Sequence, residues 1–352
     1  MFQILNKTAF QASLGLFTDQ YGADKVVVAI KGTFTMPKDS VVKIKLADEQ
    51  LPVLYCDEYF GEPKTSSIKY PADMVLGKVG TDIGLVGHAY SNNGALIKQI
   101  PVSITVGELQ KNILVVGDRH WEENKLMPGF SISEPAFFTK MPLLFERAFG
   151  GYDQSHKNEK DHRWNRENPI GTGFRINKDA VANHLLPNLE DPKNLISHWN
   201  DKPPVMGFGF IDSSWEPRIK YAGTYDKDWQ KNQSPLLPID FKIDFFNSAS
   251  AGLRSQQFVC GGEDVRLENV SQRGLLHFKL PQINIRCTSH IGDTHNTEDA
   301  QLWTLLFEPD EERFYLVWGK SFPIGKQLTK MKSVKVEIEG ESIVDPENWT
   351  SE

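Results

Sequence analysis

The chain has 352 residues and a formal net charge of −7, with 39 basic against 46 acidic side chains. Because an acidic surface repels phosphate groups and no Lys/Arg-rich run occurs, we expect no nucleic-acid partner. No stretch of about 18 apolar residues is present, which predicts no membrane insertion. The length indicates about two to three domains or one large β-rich body.

The cysteines and the first residues indicate the compartment. Cys56, Cys260 and Cys287 lie far apart and form no CxxC pair, so neither a disulfide framework nor a zinc ribbon is expected. The start, "MFQILNKTAFQASLG", has neither the basic region nor the long apolar region of an export signal. We therefore expect a cytoplasmic protein without a cofactor or a metal.

The first part of the chain, residues 1–118, reads as an antiparallel β unit. Apolar residues alternate with others along 24–46 and predict two strands joined by a turn at 37–40. The same pattern predicts further strands, and "NNG" at 92–94 is a turn signal. These strands are expected at 83–90, 100–106 and 112–118.

The middle part, residues 119–255, is different in character. It holds Trp121, Trp164, Trp199, Trp215 and Trp229, five of the 8 tryptophans, and its periodicity is weak. We predict a loop-rich segment pinned by aromatic side chains, with one or two short helices. The stretch 177–191 is a candidate for a helical turn or two.

Strands return in the last part, residues 256–352, which reads as a second β unit. In "QLWTLLF", Leu302, Thr304 and Leu306 alternate with their neighbours, and 314–318 returns after an acidic turn. This pattern predicts a hairpin, and 333–340 predicts another strand. The fold class is therefore mainly β, with β-rich terminal units around the loop-rich middle.

Two glycine-rich stretches and one histidine-rich stretch resemble ligand sites only weakly. "GTGF" at 171–174 and "GFGF" at 207–210 do not follow an apolar strand and open a helix, as phosphate loops do. We expect their glycines to allow turns and their phenylalanines to fill the core.

The stretch 289–299 holds four candidate metal ligands, but its spacing matches no zinc motif. We favour a solvated loop there, and also around His156 and His162. The four candidate ligands are His290, Asp293, His295 and Asp299.

The stretch "WEPRIKYAGTYDKDW", residues 215–229, permits two interpretations. One is acid/base catalysis by two carboxylates drawn from Glu216, Asp226, Asp228 and Asp240. The other is a structural corner or a binding platform, which we favour, because Asp226 and Asp228 would point to different faces of a helix.

A short helix is expected to begin at Tyr225. Thr224 is its candidate N-cap, and Asp226 would then lie in the first turn, where the helix dipole favours an anion. Trp229 follows Tyr225 by one turn, so the two rings share a face. The helix should stop before Ser234, which precedes a proline.

Upstream, two local structures remain open. Pro217 fits the first turn of a helix capped by Ser214, and alternation of Ile219 with Tyr221 fits a short strand equally well. In either structure we expect Trp215, Tyr225 and Trp229 to be core anchors. Arg218 and Asp226 would be the polar groups that fix the corner.

These motifs carry a resemblance to a known family. The chain has "RAFGG", "NPIGTGF", "GFGF", "WEPR", "AGTYDKDW", "PLLPIDF" and "FFNSA", which span 145–250. Gln256 and Gln257, with Gly261, Gly262 and Glu263 to Asn269, match more weakly. Lys242 and the longer insert at 152–167 depart from the pattern. The signature residues are Arg147, Phe149, Gly150, Gly151, Asn168, Pro169, Gly171, Gly173, Trp215, Pro217, Arg218, Gly223, Thr224, Tyr225, Asp226, Trp229, Pro238, Asp240, Phe241, Phe246 and Asn247.

The sequence resembles accessory proteins encoded with bacterial type VI secretion systems, which are catalogued as a domain of unknown function. Some of them act as effector adaptors or chaperones. The resemblance implies a non-catalytic protein that holds an effector and delivers it to the secretion spike, a VgrG-type protein or its tip. Whether the signature residues are structural or bind the partner stays open. The alternative is a carbohydrate-active or other hydrolase that uses the carboxylates named above.

Overall fold

The computed structural model describes residues 3–37, 44–124 and 128–339. Strands dominate these residues, which confirms the mainly β fold class. The strands before residue 119 are β1 (Gln3–Asn6), β2 (Gln11–Thr18), β3 (Asp24–Thr35), β4 (Lys45–Leu46), β5 (Glu58–Tyr59), β6 (Ile68–Tyr70), β7 (Asp82–Leu85), β8 (His88–Tyr90), β9 (Gln99–Val106) and β10 (Leu109–Val116).

The middle of the chain contributes only strands of two or three residues. They are β11 (Trp121–Glu123), β12 (Phe130–Ile132), β13 (Lys140–Pro142), β14 (Phe149–Gly150), β15 (Tyr152–Asp153), β16 (Arg163–Trp164), β17 (Thr172–Gly173) and β18 (Leu189–Glu190). Longer strands follow: β19 (Asp264–Glu268), β20 (Leu275–Lys279), β21 (Ile285–Ile291), β22 (Thr294–Asp299), β23 (Gln301–Glu308), β24 (Arg313–Gly325) and β25 (Met331–Ile338).

Helical structure is short throughout the described residues. The single α-helix there is α1 (Lys227–Asn232), and no helix in that part of the chain has the length and apolar character needed to cross a membrane. The other helical segments are 3-10 turns at Asn92–Gly94, Phe145–Arg147, Glu159–Asp161, Lys178–Ala180, Arg218–Tyr221, Ile243–Phe246, Pro309–Glu311 and Leu328–Lys330.

Three sheets organise the molecule, and both ends of the chain contribute to each. The central sheet has the order β2-β3-β24-β23-β7, with β4 paired to β3. A five-stranded sheet runs β18-β10-β9-β19-β20, and a four-stranded sheet runs β1-β25-β21-β22. Most neighbours are antiparallel, but β7 pairs with β23 and β1 with β25 in parallel. Strands from 1–118 and from 256–352 therefore share sheets rather than forming separate ones.

The central sheet is covered on both faces. On one face Phe314 packs against Phe278 of the five-stranded sheet, with ring centroids 5.3 Å apart. On the other face Tyr315 and Leu306 form a second cluster with Phe210, which comes from the loop-rich middle. The hairpin predicted at 302–318 is confirmed as β23 and β24. Successive side chains of this hairpin point alternately into two different cores, rather than alternately into a core and into solvent.

Two predictions of local structure change. Residues 289–299, expected to be a solvated loop, form the hairpin of β21 and β22, because β25 supplies backbone partners for β21. The strand predicted at 83–90 divides into β7 and β8, which join different sheets. Most of the turn predicted at 37–40 lies outside the described residues.

Lys111 is a buried amine without a carboxylate partner among the described residues. From β10 its Nζ donates to the Oγ of Ser250 at 3.0 Å and to the carbonyl of Ala251 at 2.8 Å. Burial lowers the pKa of Lys111 to about 7. A neutral amine has two N–H groups, which is the number that these two acceptors can take.

We expect Lys111 to make stability depend on pH. Its pKa of about 7 lies below the ordinary 10.5, so unfolding takes up a proton between these values. The free energy of unfolding should therefore rise across this range, by up to about 1.4 kcal/mol per pH unit. In Lys111→Met this contribution to the rise should disappear, as measured by urea denaturation from pH 6 to 10. Lys279→Met, at an exposed position of β20, should keep it; equal slopes in both variants would contradict the assignment.

Candidate functional site

The first half of the signature forms a tight backbone crossing. β14 and β17 pair in parallel, and the N–H of Gly151 donates to the carbonyl of Asn168 at 2.8 Å. Asn168 is fully buried, and its Nδ2 donates to the carbonyls of Phe145 at 2.7 Å and Phe149 at 3.1 Å. One side chain thus ties together the two motifs "RAFGG" and "NPIGTGF".

Glycine is required at this crossing because the two backbones are too close for a side chain. A Cβ on Gly150 would lie 2.2 Å from the carbonyl oxygen of Asn168, and its φ of +153° is rare for other residues. A Cβ on Gly171 would lie 2.3 Å from Nδ2 of the same asparagine. These signature residues are therefore explained by packing.

The neighbouring signature residues support the crossing. Arg147 donates to Asn188 at 2.9 Å and to Asp118 at 3.2 Å. Phe149 is buried edge-on against Phe174, and Pro169 is half-buried beside Asn168. Gly173 lies in β17, next to Phe174. The "GTGF" phenylalanine therefore fills a core, as expected, and so do Phe208 and Phe210 of "GFGF".

The corner that follows begins with Trp215, which is buried edge-on against Phe145 at 5.7 Å. After Trp215, the sequence permitted either a helical turn or a short strand. The structure has a helical turn: Arg218–Tyr221 is a 3-10 helix preceded by Pro217. Ser214 does not cap this turn, because its N–H and Oγ donate to Asp212 at 2.7 and 2.6 Å. The short strand was the wrong alternative.

Arg218 is buried, as expected of a residue that fixes the corner. Its Nε donates to the carbonyl of Phe245 at 3.0 Å, and its Nη1 donates to that of Ile211 at 2.5 Å. The guanidinium carbon also lies 5.4 Å from the ring centroid of Phe245. Burial lowers the pKa of Arg218.

The predicted N-cap is wrong by two residues. Asp226, not Thr224, caps α1, because its Oδ1 accepts from the N–H of Trp229 at 2.9 Å. Thr224 is engaged elsewhere: its N–H and Oγ1 donate to the two carboxylate oxygens of Asp240 at 2.9 and 2.8 Å. The helix ends at Asn232, before Ser234, as predicted.

Tyr225 is exposed, so its role as a core anchor is corrected. The six-residue helix α1 lies on the surface and has no buried residue. The ring of Tyr225 contacts that of Trp229 at 4.7 Å, and Trp229, half-buried, donates from Nε1 to the carbonyl of Leu236 at 2.9 Å. Gln233 ties this segment to the β2–β3 turn by donating to the carbonyl of Gln20 at 2.6 Å. We call the apolar residues around this junction the α1 cluster: Tyr21, Tyr225, Trp229, Leu236 and Ile239.

Each candidate catalytic carboxylate has a partner of its own. A hydrogen bond from Lys220 at 2.5 Å lowers the pKa of Glu216. The backbone N–H of Thr224 lowers the pKa of Asp240. Asp228 accepts from Asn232 at 2.7 Å, and Asp226 caps the helix. Their hydrogen bonds serve local structure.

The last signature motif joins the corner to the central sheet. Asn247 is buried; its Nδ2 donates to the carbonyl of Gly80 at 3.0 Å and to Asp82 at 2.9 Å. Its Oδ1 accepts from the N–H of Val79 at 3.1 Å. The other oxygen of Asp82 accepts from Lys78 at 2.7 Å and from the N–H of Ser248 at 2.8 Å. Sequence reasoning missed Lys78 and Asp82, since no motif marks them.

The aromatic part of this motif packs on itself. Phe241, Phe245 and Phe246 lie with ring centroids 5.6 Å apart in each pair. Pro238 is buried beside Gly223. These contacts close the corner between Trp215 and the start of the last β strands.

A pocket of about 290 Å³ opens at this corner. Arg254, which the sequence analysis did not single out, stands in its wall and pairs with Asp244 at 2.9 Å. Its position just after "FFNSA" was the available signal. The lining residues are Ile211, Pro217, Arg218, Tyr221, Asp244, Asn247, Ala249, Ser250, Ala251, Gly252, Arg254 and Gln256.

No group of three or more potential metal ligands forms among the described residues. His290 and His295 face each other across β21 and β22, with ring centroids 4.4 Å apart. The two acidic candidates turn to cations instead: Asp293 to Lys332 and Asp299 to Arg286, both at 3.6 Å.

We expect Gly150→Ala to destabilise the protein severely, by more than about 3 kcal/mol, because the new Cβ meets backbone that cannot withdraw. Gly209→Ala is the matched control, since a Cβ there lies 3.5 Å from Phe145 in ordinary contact. Thermal unfolding of both variants measures the difference. Similar melting temperatures would show that the crossing is not rigid.

Asp226→Ala should cost about 1 kcal/mol through loss of the N-cap. Asp226→Asn should cost much less, because an amide oxygen accepts the same hydrogen bond. Asp228→Ala, two residues further on and exposed, is the control and should stay within about 0.5 kcal/mol of the parent. Chemical denaturation separates the three; an equal loss in Asp226→Asn would indicate that charge, not capping, matters.

Comparison with known proteins assigns this sequence to a family. No curated protein and no solved structure matches the chain. A family described as "Uncharacterized protein conserved in bacteria (DUF2169)" matches residues 21–319, a range that contains the whole signature, the five-stranded sheet, most of the central sheet, and β21 and β22 of the four-stranded sheet. The chain belongs to this bacterial family.

Proposed function

We propose that the protein is a cytoplasmic, non-catalytic adaptor or chaperone that binds a type VI secretion effector and helps to load it onto the spike. The partners are the effector and a VgrG-type protein or its tip. The proposal starts from the resemblance of residues 145–250 to adaptors of this kind.

The α1 cluster is the observation that carries the proposal. Tyr225 is 54% exposed although it belongs to the signature, and Tyr21 of the β2–β3 turn and Ile239, which precedes Asp240, are exposed as well. The polar groups below them are already paired, in the Asp226 cap, in the contact of Thr224 with Asp240, and in the Trp229 N–H. Together with the exposed Lys227, Asp228 and Lys231 of α1, this surface offers a partner aromatic and apolar area, the kind that dominates interface hot spots.

The scaffold beneath the α1 cluster favours binding because it is fixed before a partner arrives. Gln233, which follows the helix, donates to the carbonyl of Gln20 in the β2–β3 turn and to the carbonyl of Leu237 in its own loop. Asp240 holds the loop before the helix. A surface that is already ordered loses less conformational entropy on association, which leaves more of the contact energy for affinity.

The hydrolase alternative has less support. A general acid at neutral pH needs a raised pKa, which burial or a like charge supplies. The pKa values of Glu216 and Asp240 are instead lowered by Lys220 and by Thr224. Asp226 and Asp228 are exposed and bonded within their own helix. We therefore propose no second function.

The test is co-expression of the chain with the effector and spike proteins encoded beside its gene. We expect a complex that co-purifies, and loss of effector secretion when the gene is deleted. The double variant Tyr21→Ala/Tyr225→Ala should weaken effector binding at least about tenfold, or about 1.4 kcal/mol, by calorimetry.

Phe137→Ala is the matched control, because Phe137 is an equally exposed aromatic outside the α1 cluster, beside Lys98. It should bind like the parent. Neither partner co-purifying, together with unchanged secretion on deletion, would refute the proposal. Binding that the double variant leaves intact would move the contact surface away from α1.

A further inference from the structure

The pocket at the signature corner is lined by more positive than negative side chains. Its lining includes two arginines, Arg218 and Arg254, and one aspartate, Asp244. Their charges sum to +1. This stands in a protein whose overall charge is −7. A small positive concavity on a negative molecule attracts an anionic group selectively.

Arg218 supplies a donor that the protein itself does not use. The residue is only 7% exposed, and its Nε and Nη1 are taken by the carbonyls of Phe245 and Ile211. Its Nη2 has no hydrogen-bond acceptor in the parts of the chain that the structure describes. Nη2 is also not one of the buried side-chain atoms that lack a hydrogen-bond partner, so it remains accessible to solvent. In a residue that lines the pocket, this nitrogen is the group left to meet a ligand.

Three carboxylates, Asp57, Asp82 and Asp212, act on Arg218 through their charge, but each has other hydrogen-bond partners. Asp57 accepts from the N–H of Ala72 at 2.7 Å. Asp82 is held by Lys78, Asn247 and the N–H of Ser248, while Asp212 is held by Tyr59 and Ser214. Within the described part of the chain, these carboxylates act on Arg218 only through space and accept no hydrogen bond from its guanidinium. The fixed planar fork of Arg218 is therefore oriented, charged and incompletely paired, which is the arrangement used to bind carboxylates.

Arg254 provides a second cation that a ligand can recruit. Its ion pair with Asp244 is surface-exposed on both sides, with side-chain exposures of 41% and 30%. An exposed pair of this kind contributes little, so exchange of one carboxylate for another costs little. Because Arg254 lines the same pocket as Arg218, a ligand carboxylate in this pocket can take the place of Asp244.

We propose that this pocket binds a carboxylate group of a partner polypeptide. A volume of about 290 Å³ accommodates a single acidic side chain or a C-terminal residue and excludes a large ligand. Nη2 of Arg218 and the guanidinium of Arg254 supply positive charge and N–H donors. The identity of the partner rests on the proposed function, but the carboxylate preference rests on the pocket alone.

The experiment titrates the full chain with small probes and follows the Nε–H signal of Arg218 by NMR. N-acetyl-glutamate N-methylamide offers a side-chain carboxylate, and N-acetyl-glutamine offers a terminal one. N-acetyl-glutamine N-methylamide is the neutral match for both. We expect a saturable shift with at least one carboxylate and none with the neutral probe, and the stronger carboxylate identifies the source.

Two variants should change the affinity in opposite directions. Arg254→Gln removes one cation and should weaken carboxylate binding by about fivefold or more, whereas Asp244→Asn releases that cation and should strengthen it. Arg273→Gln is the matched control. Its side-chain exposure is 43%, and it pairs with Glu312 at 2.7 Å outside this pocket. It should leave the affinity unchanged.

Equal shifts with the neutral probe, no response to any probe, or a response to inorganic phosphate alone would overturn the inference. So would the same affinity in Arg254→Gln and Asp244→Asn. The titration contains no effector, so its failure leaves the adaptor proposal standing. Absence of a complex with the effector, in turn, leaves the titration to decide the chemistry of the pocket.

Discussion

The buried carboxylate of Asp82 is the interaction on which the arrangement of the molecule depends. It opens β7, the edge strand of the central sheet, and receives Lys78, Asn247 and the N–H of Ser248. A charge taken out of water is tolerated only when its lone pairs are filled, so the sheet edge and the signature segment must come together. The loop-rich middle is therefore bound to the β framework through this polar hub, in addition to the pairing of β18 with β10 and of β13 with β8.

That constraint explains why so irregular a segment can hold a fixed shape. Asn168 at the glycine crossing, Arg218 at the corner and Asn247 at the sheet edge each use one side chain to satisfy several backbone groups. Regular structure normally does this by repetition, and here buried amides and a guanidinium do it locally. The surface above them, including the α1 cluster and the pocket, is consequently preorganised.

Much of the fold could be predicted from local pattern, and the site only partly. Period-two alternation identified β9, β10, β23, β24 and β25, because each buries at least one face. The cap was misplaced because Thr224 and Asp226 are both good N-caps, and the choice depends on Asp240, which is distant in sequence. The exposure of Tyr225, the hub at Asp82 and the pairing of Arg254 depend likewise on tertiary contacts that no local pattern records.

The central sheet also has a consequence for how the chain is made. β3 ends at Thr35, but its long partner β24 begins only at Arg313. Likewise, β1 pairs with β25, which lies near the other end of the described chain. Contacts so distant along the chain are slow to form. During synthesis β2 and β3 can pair with each other, but the edge of β3 that receives β24 stays open until nearly the whole polypeptide has left the ribosome. A nascent chain with open strand edges for that long is prone to aggregate, so production of this protein should benefit from slow expression at low temperature.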